Sequence, residues 1–426
     1  MPLFWFLLVV VSLGCGSVPG NVVPAQQAMI ASFGVLLAWG LLAKVAAYTT
    51  TRQMQEGVAE PAVIVREFER QITFLRWGGL VAAVMTLIGF GLANLIENLP
   101  VCEHSMAIRA ILMITPAVMM VSIVWWADHQ FGVANGWVKE GPSSMIRELV
   151  SYFRLQGAWL VVPVLALLTL VDLVALIPGI SSISGGLGVA VLAILFIPLA
   201  MPWLAKRVWE TEPIGDRSEG WLLGVSKACG FRRLDVRRWN TNHRSGNALV
   251  AGFVPGCRVL MITDRLLDTL SDRDLMMVTL HELAHLKRWH VPLRMFAVVP
   301  AWVVVWMVDR YLDSYAWSET FGVVTALAGS LGFLHLISYR TEFDADAYAC
   351  RLAVKASATV PQAPRDLSSA AFAMAHALES VTEGEASAQR GSWLHPSIAK
   401  RQKALARLAG RDAVIENCHP ELNKCL

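Results

Sequence analysis

Long apolar stretches dominate the pattern of hydrophobic and polar positions along the chain. Eight of them are long enough, or nearly so, to cross a hydrocarbon core of roughly 30 Å as helices of about 17–25 residues. Their predicted limits are 3–19, 28–48, 77–96, 107–127, 157–178, 185–205, 294–312 and 320–338. A soluble domain buries one or two such segments. The pattern therefore predicts a mostly α-helical, polytopic membrane protein with about seven or eight transmembrane helices.

The first stretch has two interpretations. Residues 1–19 begin without a positively charged segment, and the residues before Cys15 match a lipoprotein cleavage signal poorly. A retained helix is predicted, with a cleaved signal peptide as the alternative. The orientation of the other helices is the same in both cases.

Residues 1–205 are predicted to form the N-terminal transmembrane part, and the pattern changes after residue 205. In 206–293 a helix-like segment (221–230) precedes strand patterns at 233–239, 248–253 and 258–263. These elements predict a small α/β domain. A transmembrane hairpin over 294–338 interrupts it, and residues 339–426 complete it.

Composition and charge agree with a membrane protein and exclude other classes. Hydrophobic residues make up 55% of the chain, charged residues 16%, and mean hydropathy is +0.50. The net charge of +3 is widely spread, so no nucleic-acid partner is expected. The seven cysteines include no CxxC pair, which offers neither a disulfide framework nor a cysteine zinc site and suits a reducing compartment.

Loop charges predict the orientation. Arg52, Arg66, Arg70 and Arg76 lie between or beside the second and third spans, and Lys139, Arg147 and Arg154 follow the fourth. The alternate loops, 20–27, 97–106, 179–184 and 313–319, contain no Lys or Arg. The positive-inside rule places the basic loops in the cytoplasm, and with them segments 206–293 and 339–426.

The sequence His281-Glu282-Leu283-Ala284-His285 is the strongest chemical signal. It lies in a predicted helix from 275 to 290, with Ser271 as N-cap and Pro292 marking the end. Residues four apart share one helix face, so both imidazoles can bind one ion, and Glu282 can accept a proton from an attacking water. Two surface histidines on an ordinary helix are the alternative.

A third metal ligand is expected downstream, because a catalytic zinc ion takes three protein ligands. Glu342 and Asp346 again lie four residues apart, on a predicted helix that directly follows a hydrophobic span. One carboxylate can bind the metal while the other accepts the ring N–H of a ligating histidine. An ordinary acidic helix face is the alternative.

Together these segments resemble peptidase family M48, integral-membrane zinc metallopeptidases of the HtpX and Ste24 type. The matching pieces are Asn247-Ala248, Thr263-Asp264 with Leu266-Leu267 and Leu270-Ser271, the His281–His285 motif, Arg340 with Glu342, Ala345 and Asp346, and His395-Pro396-Ser397 with Lys400-Arg401. They cover roughly residues 220–410, and the resemblance implies that the small α/β domain is a zincin-type metalloprotease domain. The spans before residue 206 outnumber those of HtpX-like members, which leaves the subgroup open.

The resemblance implies a role for each matched residue. It implies one Zn²⁺ per chain, bound by His281, His285 and Glu342, with Glu282 as general base and Asp346 as hydrogen-bond partner of a ligand. Asn247 and Ala248 fall where the family's substrate-binding edge strand begins. His395 and Arg401 are candidate donors to the oxyanion, with a helix cap or a surface position as the alternative for each.

The expected activity is that of a zinc metalloendopeptidase, a hydrolase of the EC 3.4.24 type. Its expected partners are the lipid bilayer and polypeptide substrates, membrane proteins among them, in quality control or peptide processing. The expected location is a bacterial cytoplasmic membrane with the active site facing the cytoplasm. The substrate and the oligomeric state stay open.

Two other functions are considered as alternatives to a peptidase. One is a sensor-transducer protease like those of the M56 family, although the short outside loops offer no obvious ligand domain. The other is a non-catalytic transporter or scaffold, suggested by Asp172 near the middle of the fifth span. An intramembrane carboxylate is costly and usually functional. A hydroxyl or backbone partner for Asp172 is the alternative.

Overall fold

A computed structural model describes most of the chain. The described residues are 2–17, 23–177, 196, 199–243, 245–252, 254–296, 299–312, 318–383 and 389–410. The chain divides into two compact units, Met1–Ile197 and Pro198–Leu426. This boundary lies eight residues before the predicted limit of the N-terminal transmembrane part.

The described residues of the first unit form helices joined by short turns. Its helices are α1 (Pro2–Gly14), α2 (Ala25–Glu56), α3 (Pro61–Val84, continued by a π turn at Met85–Gly89), α4 (Leu92–Glu97), α5 (Pro100–His104), α6 (Met106–Ala134), α7 (Pro142–Gln156) and α8 (Ala158–Ala175). Four of them, α2, α3 with its π turn, α6 and α8, are long and apolar enough to cross a membrane. The chain is thus a polytopic membrane protein.

The short helix α1 belongs to the core of this unit. Trp5 and Leu8 are fully buried, and the Trp5 ring lies 5.9 Å from the rings of both Trp125 and Phe153. Buried aromatic side chains of this size contribute much of the hydrophobic stabilisation of a core. A retained first helix stays a prediction, with a cleaved signal peptide as the alternative.

Some predicted spans differ from the helices in their limits. The third span was expected at 77–96, but its helix begins at Pro61 and ends at Gly89, since Gly91 adopts a left-handed φ of 72°. The predicted span 185–205 lies largely outside the described residues. The spans at 294–312 and 320–338 fall on helices, described next, and their passage through a membrane stays a prediction.

The second unit combines nine helices with a small sheet in its described residues. The helices are α9 (199–208), α10 (Asp216–Ala228), α11 (Asp264–Thr269), α12 (Asp272–Lys287), α13 (His290–Phe296), α14 (Val299–Leu312), α15 (Ser318–Ala356), α16 (Leu367–Val381) and α17 (Ile398–Leu408). The strands are β1 (Thr211–Pro213), β2 (Asp235–Trp239), β3 (Ala248–Ala251) and β4 (Val259–Thr263).

The sheet has the order β1-β2-β4-β3 and is mixed. β1 pairs antiparallel with β2, β2 pairs parallel with β4, and β3 pairs antiparallel with β4. The apolar strand predicted at 258–263 is therefore a central strand, buried along its whole length, and the edge beside it is β3. β1, of only three residues, was not predicted.

The core of this unit lies between the sheet, α12 and the helices behind α12. Leu260 and Ile262 of β4 pack with Met276, Leu280 and Leu283 of α12, all fully buried. α15 and α16 also pack against α12. Apolar contacts with several elements therefore hold the motif helix in place, which fixes the direction of its polar side chains.

Asp172 has a structural partner within the first unit. Its carboxylate accepts hydrogen bonds from Ser105 Oγ (2.7 Å) and from the backbone N–H groups of Met106 (2.9 Å) and Ala107 (3.0 Å). These N–H groups belong to the first turn of α6, where unpaired donors and the helix dipole favour an anion. The alternative of a hydroxyl and backbone partner is confirmed, and the argument for a transporter loses its basis.

Candidate active site

The motif helix α12 begins as the sequence predicts. Ser271 is its N-cap, accepting a hydrogen bond from Asp274 N (3.2 Å) and donating one to Asp274 Oδ2 (2.7 Å). A cap of this kind contributes roughly 1 kcal/mol. His281 and His285 follow on one face, both buried, and their Nε2 atoms lie 3.1 Å apart.

The second half of α15 brings Glu342 to the two histidines. Glu342 Oε2 lies 3.6 Å from His281 Nε2, and Glu342 Oε1 lies 3.5 Å from His285 Nε2. The Glu342 side chain is almost completely buried. Two imidazole nitrogens and the Glu342 carboxylate therefore converge between α12 and α15.

This convergence fits a zinc ion. Zinc–ligand bonds of about 2.0–2.1 Å in a tetrahedron place ligand atoms about 3.4 Å from one another. The two Nε2 atoms lie 3.1 Å apart, and each lies 3.5–3.6 Å from its nearer oxygen of the Glu342 carboxylate. Within the part of the chain that the structure describes, His281, His285 and Glu342 form the group of side chains that can hold a metal ion. Their donor atoms, two imidazole nitrogens and a carboxylate, are those of catalytic zinc sites.

Asp346 lies one helical turn beyond Glu342 and binds the other side of His281. Its Oδ1 is 2.9 Å from His281 Nδ1, so it accepts the N–H of Nδ1 and turns Nε2 toward the cluster. Arg401 of α17 donates to the same carboxylate through Nε (2.8 Å) and Nη2 (2.5 Å). Asp346 and Arg401 are both buried.

These contacts shift the protonation of the cluster. Burial lowers the pKa of His281, but its hydrogen bonds to Asp346 and Glu342 outweigh burial and raise the pKa to about 9. Burial raises the pKa of Glu342, but hydrogen bonds from His281 and His395 hold that pKa well below its usual range. The metal-free cluster at neutral pH thus contains one protonated histidine and an ionised glutamate. A metal ion must displace that proton, because a ligating histidine is neutral.

Glu282 lies beside the cluster in the same cleft and differs from the other carboxylates. Burial raises its pKa to about 7, and the nearby Glu342 adds to this effect, while His281 opposes it. A carboxylate with a pKa near neutrality can both accept and return a proton at physiological pH.

Arg294 is a partner of Glu342 that the sequence did not reveal. Its Nη2 donates to Glu342 Oε1 (2.8 Å), and its Nε and Nη2 donate to Thr341 Oγ1 at 3.0 and 2.8 Å. A charge-assisted hydrogen bond of this kind orients the carboxylate. Arg294 stands at the start of the predicted span 294–312, where an arginine is equally expected as a flank of a membrane span.

His290 is a second such partner. Its Nδ1 lies 3.0 Å from Nδ1 of His285, and its Nε2 lies 2.9 Å from Asp344 Oδ2. The predicted helix from 275 to 290 is wrong at this end, because α12 ends at Lys287 and Trp289 has a left-handed φ of 57°. In a continuous helix, five residues would have turned His290 about 140° away from His285.

A cleft of about 320 Å³ opens at the cluster. Asn247 and Ala248 of the β3 edge line it, together with Glu282, His395 and Arg401. The His395 side chain is half exposed, and its Nδ1 lies 3.3 Å from Glu342 Oε2. The structure therefore brings every predicted site residue to this cleft or, for His285 and Asp346, directly behind it.

In this membrane chain, two histidines of an HExxH helix meet a glutamate beside a cleft. This is the architecture of a membrane zinc metallopeptidase. The sequence of residues 225–409 matches Peptidase family M48, a zinc-dependent family. The matched segment covers less than half of the chain and includes the whole cluster, so this part of the chain is similar to M48 metallopeptidases.

Comparison with solved structures also finds the crystal structure of S. mikatae Ste24p. The two chains share 14% sequence identity over 90% of this chain and 100% of that one, with a TM-score of 0.46. No curated protein matches the sequence.

Proposed function

We propose that the protein is a zinc-dependent endopeptidase of the membrane, in which His281, His285 and Glu342 bind one zinc ion and Glu282 is the general base. The observation that carries the proposal is the convergence of Nε2 of both histidines and the Glu342 carboxylate within 3.1–3.6 Å. Such a cluster is costly to bury without a metal, because its charged members lose hydration.

The mechanism assigns a task to each neighbouring side chain. Bound zinc supplies a Lewis acid that polarises the scissile carbonyl and makes water more acidic. Glu282 accepts the proton of the attacking water and donates it to the leaving nitrogen. Asp346 keeps the His281 lone pair on Nε2, and Arg294 orients the Glu342 carboxylate.

The oxyanion donor in this proposal is His395. Its ring lies in the cleft, half exposed, at the mouth of the cluster. Arg401 is the less suitable donor, because two of its nitrogens are already bound to Asp346. Arg401 is therefore assigned the role of a buried partner of Asp346.

A substrate in extended conformation can pair with the edge strand β3. Thr263 N donates to Asn247 O at 3.0 Å, which makes residues 247 and 263 a hydrogen-bonded pair. Backbone groups alternate sides along a strand, so the N–H and C=O of Ala248 point away from β4. A peptide bound there as an added strand would present its backbone beside Glu282.

The proposal also covers the location of the active site and the kind of substrate. The loop charges favour a cytoplasmic active site, in a bacterial cytoplasmic membrane. A cleft of this size, open at an edge strand, accepts an unfolded segment of a polypeptide, which suits turnover of damaged membrane proteins or processing of peptides.

The test is the zinc content of the detergent-purified protein, paired with cleavage of casein before and after removal of the metal with a chelator. We expect one zinc ion per chain, loss of cleavage on chelation and recovery when zinc is added back. One zinc ion without casein cleavage would contradict a broad specificity and favour a narrow substrate. A protein that binds no zinc would contradict the site itself.

The pH profile of cleavage gives a separate prediction. Glu282 acts as a base only when deprotonated, and burial raises its pKa to about 7 in the metal-free protein. A bound dication lowers this pKa, so we expect kcat/KM to fall with decreasing pH through an apparent pKa at or below about 7. The measurement is kcat/KM on a fluorogenic peptide between pH 5 and 9. Activity that increases below pH 6 would contradict a glutamate base.

A further inference from the structure

The hydrogen bonds behind His285 form a chain that runs from the proposed metal ligand to the protein surface. His285 Nδ1 lies 3.0 Å from His290 Nδ1, and His290 Nε2 lies 2.9 Å from Asp344 Oδ2. Arg288 in turn donates to Asp344 through Nε (2.8 Å) and Nη2 (3.3 Å). The ring of His290 is buried, while Asp344 and Arg288 are partly or largely exposed.

The direction of each hydrogen bond follows from the chemistry of the groups. The Asp344 carboxylate only accepts, so His290 Nε2 carries a hydrogen and donates it. A neutral imidazole has one N–H, which leaves His290 Nδ1 as an acceptor. His285 Nδ1 must then be the donor, and its Nε2 keeps the lone pair that faces His281 and Glu342.

The two histidines of the cluster are therefore held in the same tautomer by different partners. Asp346 accepts the N–H of His281 directly, whereas a relay of one imidazole and one carboxylate accepts the N–H of His285. The relay requires that α12 end before His290. The left-handed backbone of Trp289 then directs the His290 side chain back toward His285. Partners of this kind fix both the tautomer and the orientation of a metal-binding ring.

We infer that His290 is a positioning residue for the proposed metal ligand His285. Asp344 anchors the His290 ring, and His290 Nδ1 accepts the N–H of His285 Nδ1, so that the lone pair of His285 Nε2 points toward the site. This inference rests on the proposed function, because it concerns the metal that His285 would bind. It predicts that the affinity for zinc depends on an acceptor at position 290 rather than on the bulk of the side chain.

The experiment compares three variants in the full-length protein by competition for zinc with a chelator of known affinity. His290→Leu keeps much of the volume but has no acceptor, and we expect it to weaken zinc binding about 10–100-fold. His290→Asn places an amide oxygen where Nδ1 stands, and we expect it to recover affinity to within a few-fold of wild type. Asp344→Ala removes only the anchor of the relay, so an intermediate loss is expected.

Leu222→Ala is the control for a purely structural effect, because Leu222 is a fully buried core residue of α10 outside the cleft. It should lower the melting temperature of the zinc-stripped protein and leave zinc affinity unchanged. Should His290→Leu behave like this control, or should His290→Asn bind zinc as weakly as His290→Leu, the inference is overturned.

His285→Ala distinguishes the failure of this inference from that of the proposed function. If His285→Ala binds zinc as tightly as wild type, the proposed site is wrong and the role of His290 falls with it. If His285→Ala loses tight zinc binding but His290→Leu and Asp344→Ala keep wild-type affinity, only the inference about His290 is wrong.

Discussion

Replacing Glu282 by Gln is expected to abolish peptide cleavage while leaving the bound zinc in place. The substitution keeps the size and hydrogen-bonding geometry of the side chain but removes its ability to accept a proton. Glu282 lines the cleft and is not one of the three converging side chains. Loss of a general base costs about 10²–10⁴-fold in rate. The measurement is kcat/KM of the purified variant, with zinc content determined on the same sample.

The matched control is Glu383→Gln, an exposed glutamate outside the cleft, which should cleave at the wild-type rate. The prediction fails if Glu282→Gln retains cleavage within a few-fold of wild type. The prediction that zinc stays bound fails if Glu282→Gln loses its zinc, because Glu282 would then be a ligand rather than a base.

The sequence predicts the helical part of the fold well where apolar periodicity is long and uninterrupted. α2, α6 and α8 coincide with predicted spans because each is a single hydrophobic stretch. The third span is displaced, because α3 begins sixteen residues before its apolar stretch, among charged residues that lie on a helix without interrupting it. Strand β1 was missed because three residues carry too little alternation to recognise.

The site was predictable where chemistry and helical periodicity coincide. His281, His285, Glu342 and Asp346 lie at spacings of four, and such pairs share a helix face whatever the rest of the fold does. Arg294 and His290 follow no such spacing. The position of His290 depends on a left-handed tryptophan, a conformation that a non-glycine residue adopts only when tertiary packing compensates for its cost.

The five described cysteines also show that sequence spacing does not reveal burial, which depends on tertiary packing. Cys15, Cys102, Cys229, Cys257 and Cys350 are all free. The sequence contains no CxxC pair, so spacing alone gave no expectation about where each cysteine lies. The burial of four of the five is a property of packing that spacing did not indicate.

Replacing Arg401 by Met is expected to destabilise the fold by about 3–5 kcal/mol, the usual cost of leaving one partner of a buried ion pair without the other. Arg401 is buried and donates two hydrogen bonds to Asp346, which is buried as well. Arg407→Met is the matched control, because Arg407 is exposed on the same helix, and it should be nearly neutral. The measurement is thermal unfolding of the detergent-purified, zinc-stripped proteins, so that metal binding does not contribute.

The pH dependence of this loss identifies its cause. Burial raises the pKa of Asp346, but Arg401 and its hydrogen bonds outweigh burial and hold that pKa below its ordinary value. A carboxylate with a depressed pKa stabilises the folded state above its unfolded pKa of about 3.9, and this contribution is lost as pH falls through the folded value. The difference between wild type and Arg401→Met should therefore persist down to about pH 4 and shrink as the pH falls below that value. A difference that is independent of pH would indicate lost packing rather than an unpaired Asp346. Equal melting temperatures for Arg401→Met and Arg407→Met would show that the buried pair does not stabilise the fold.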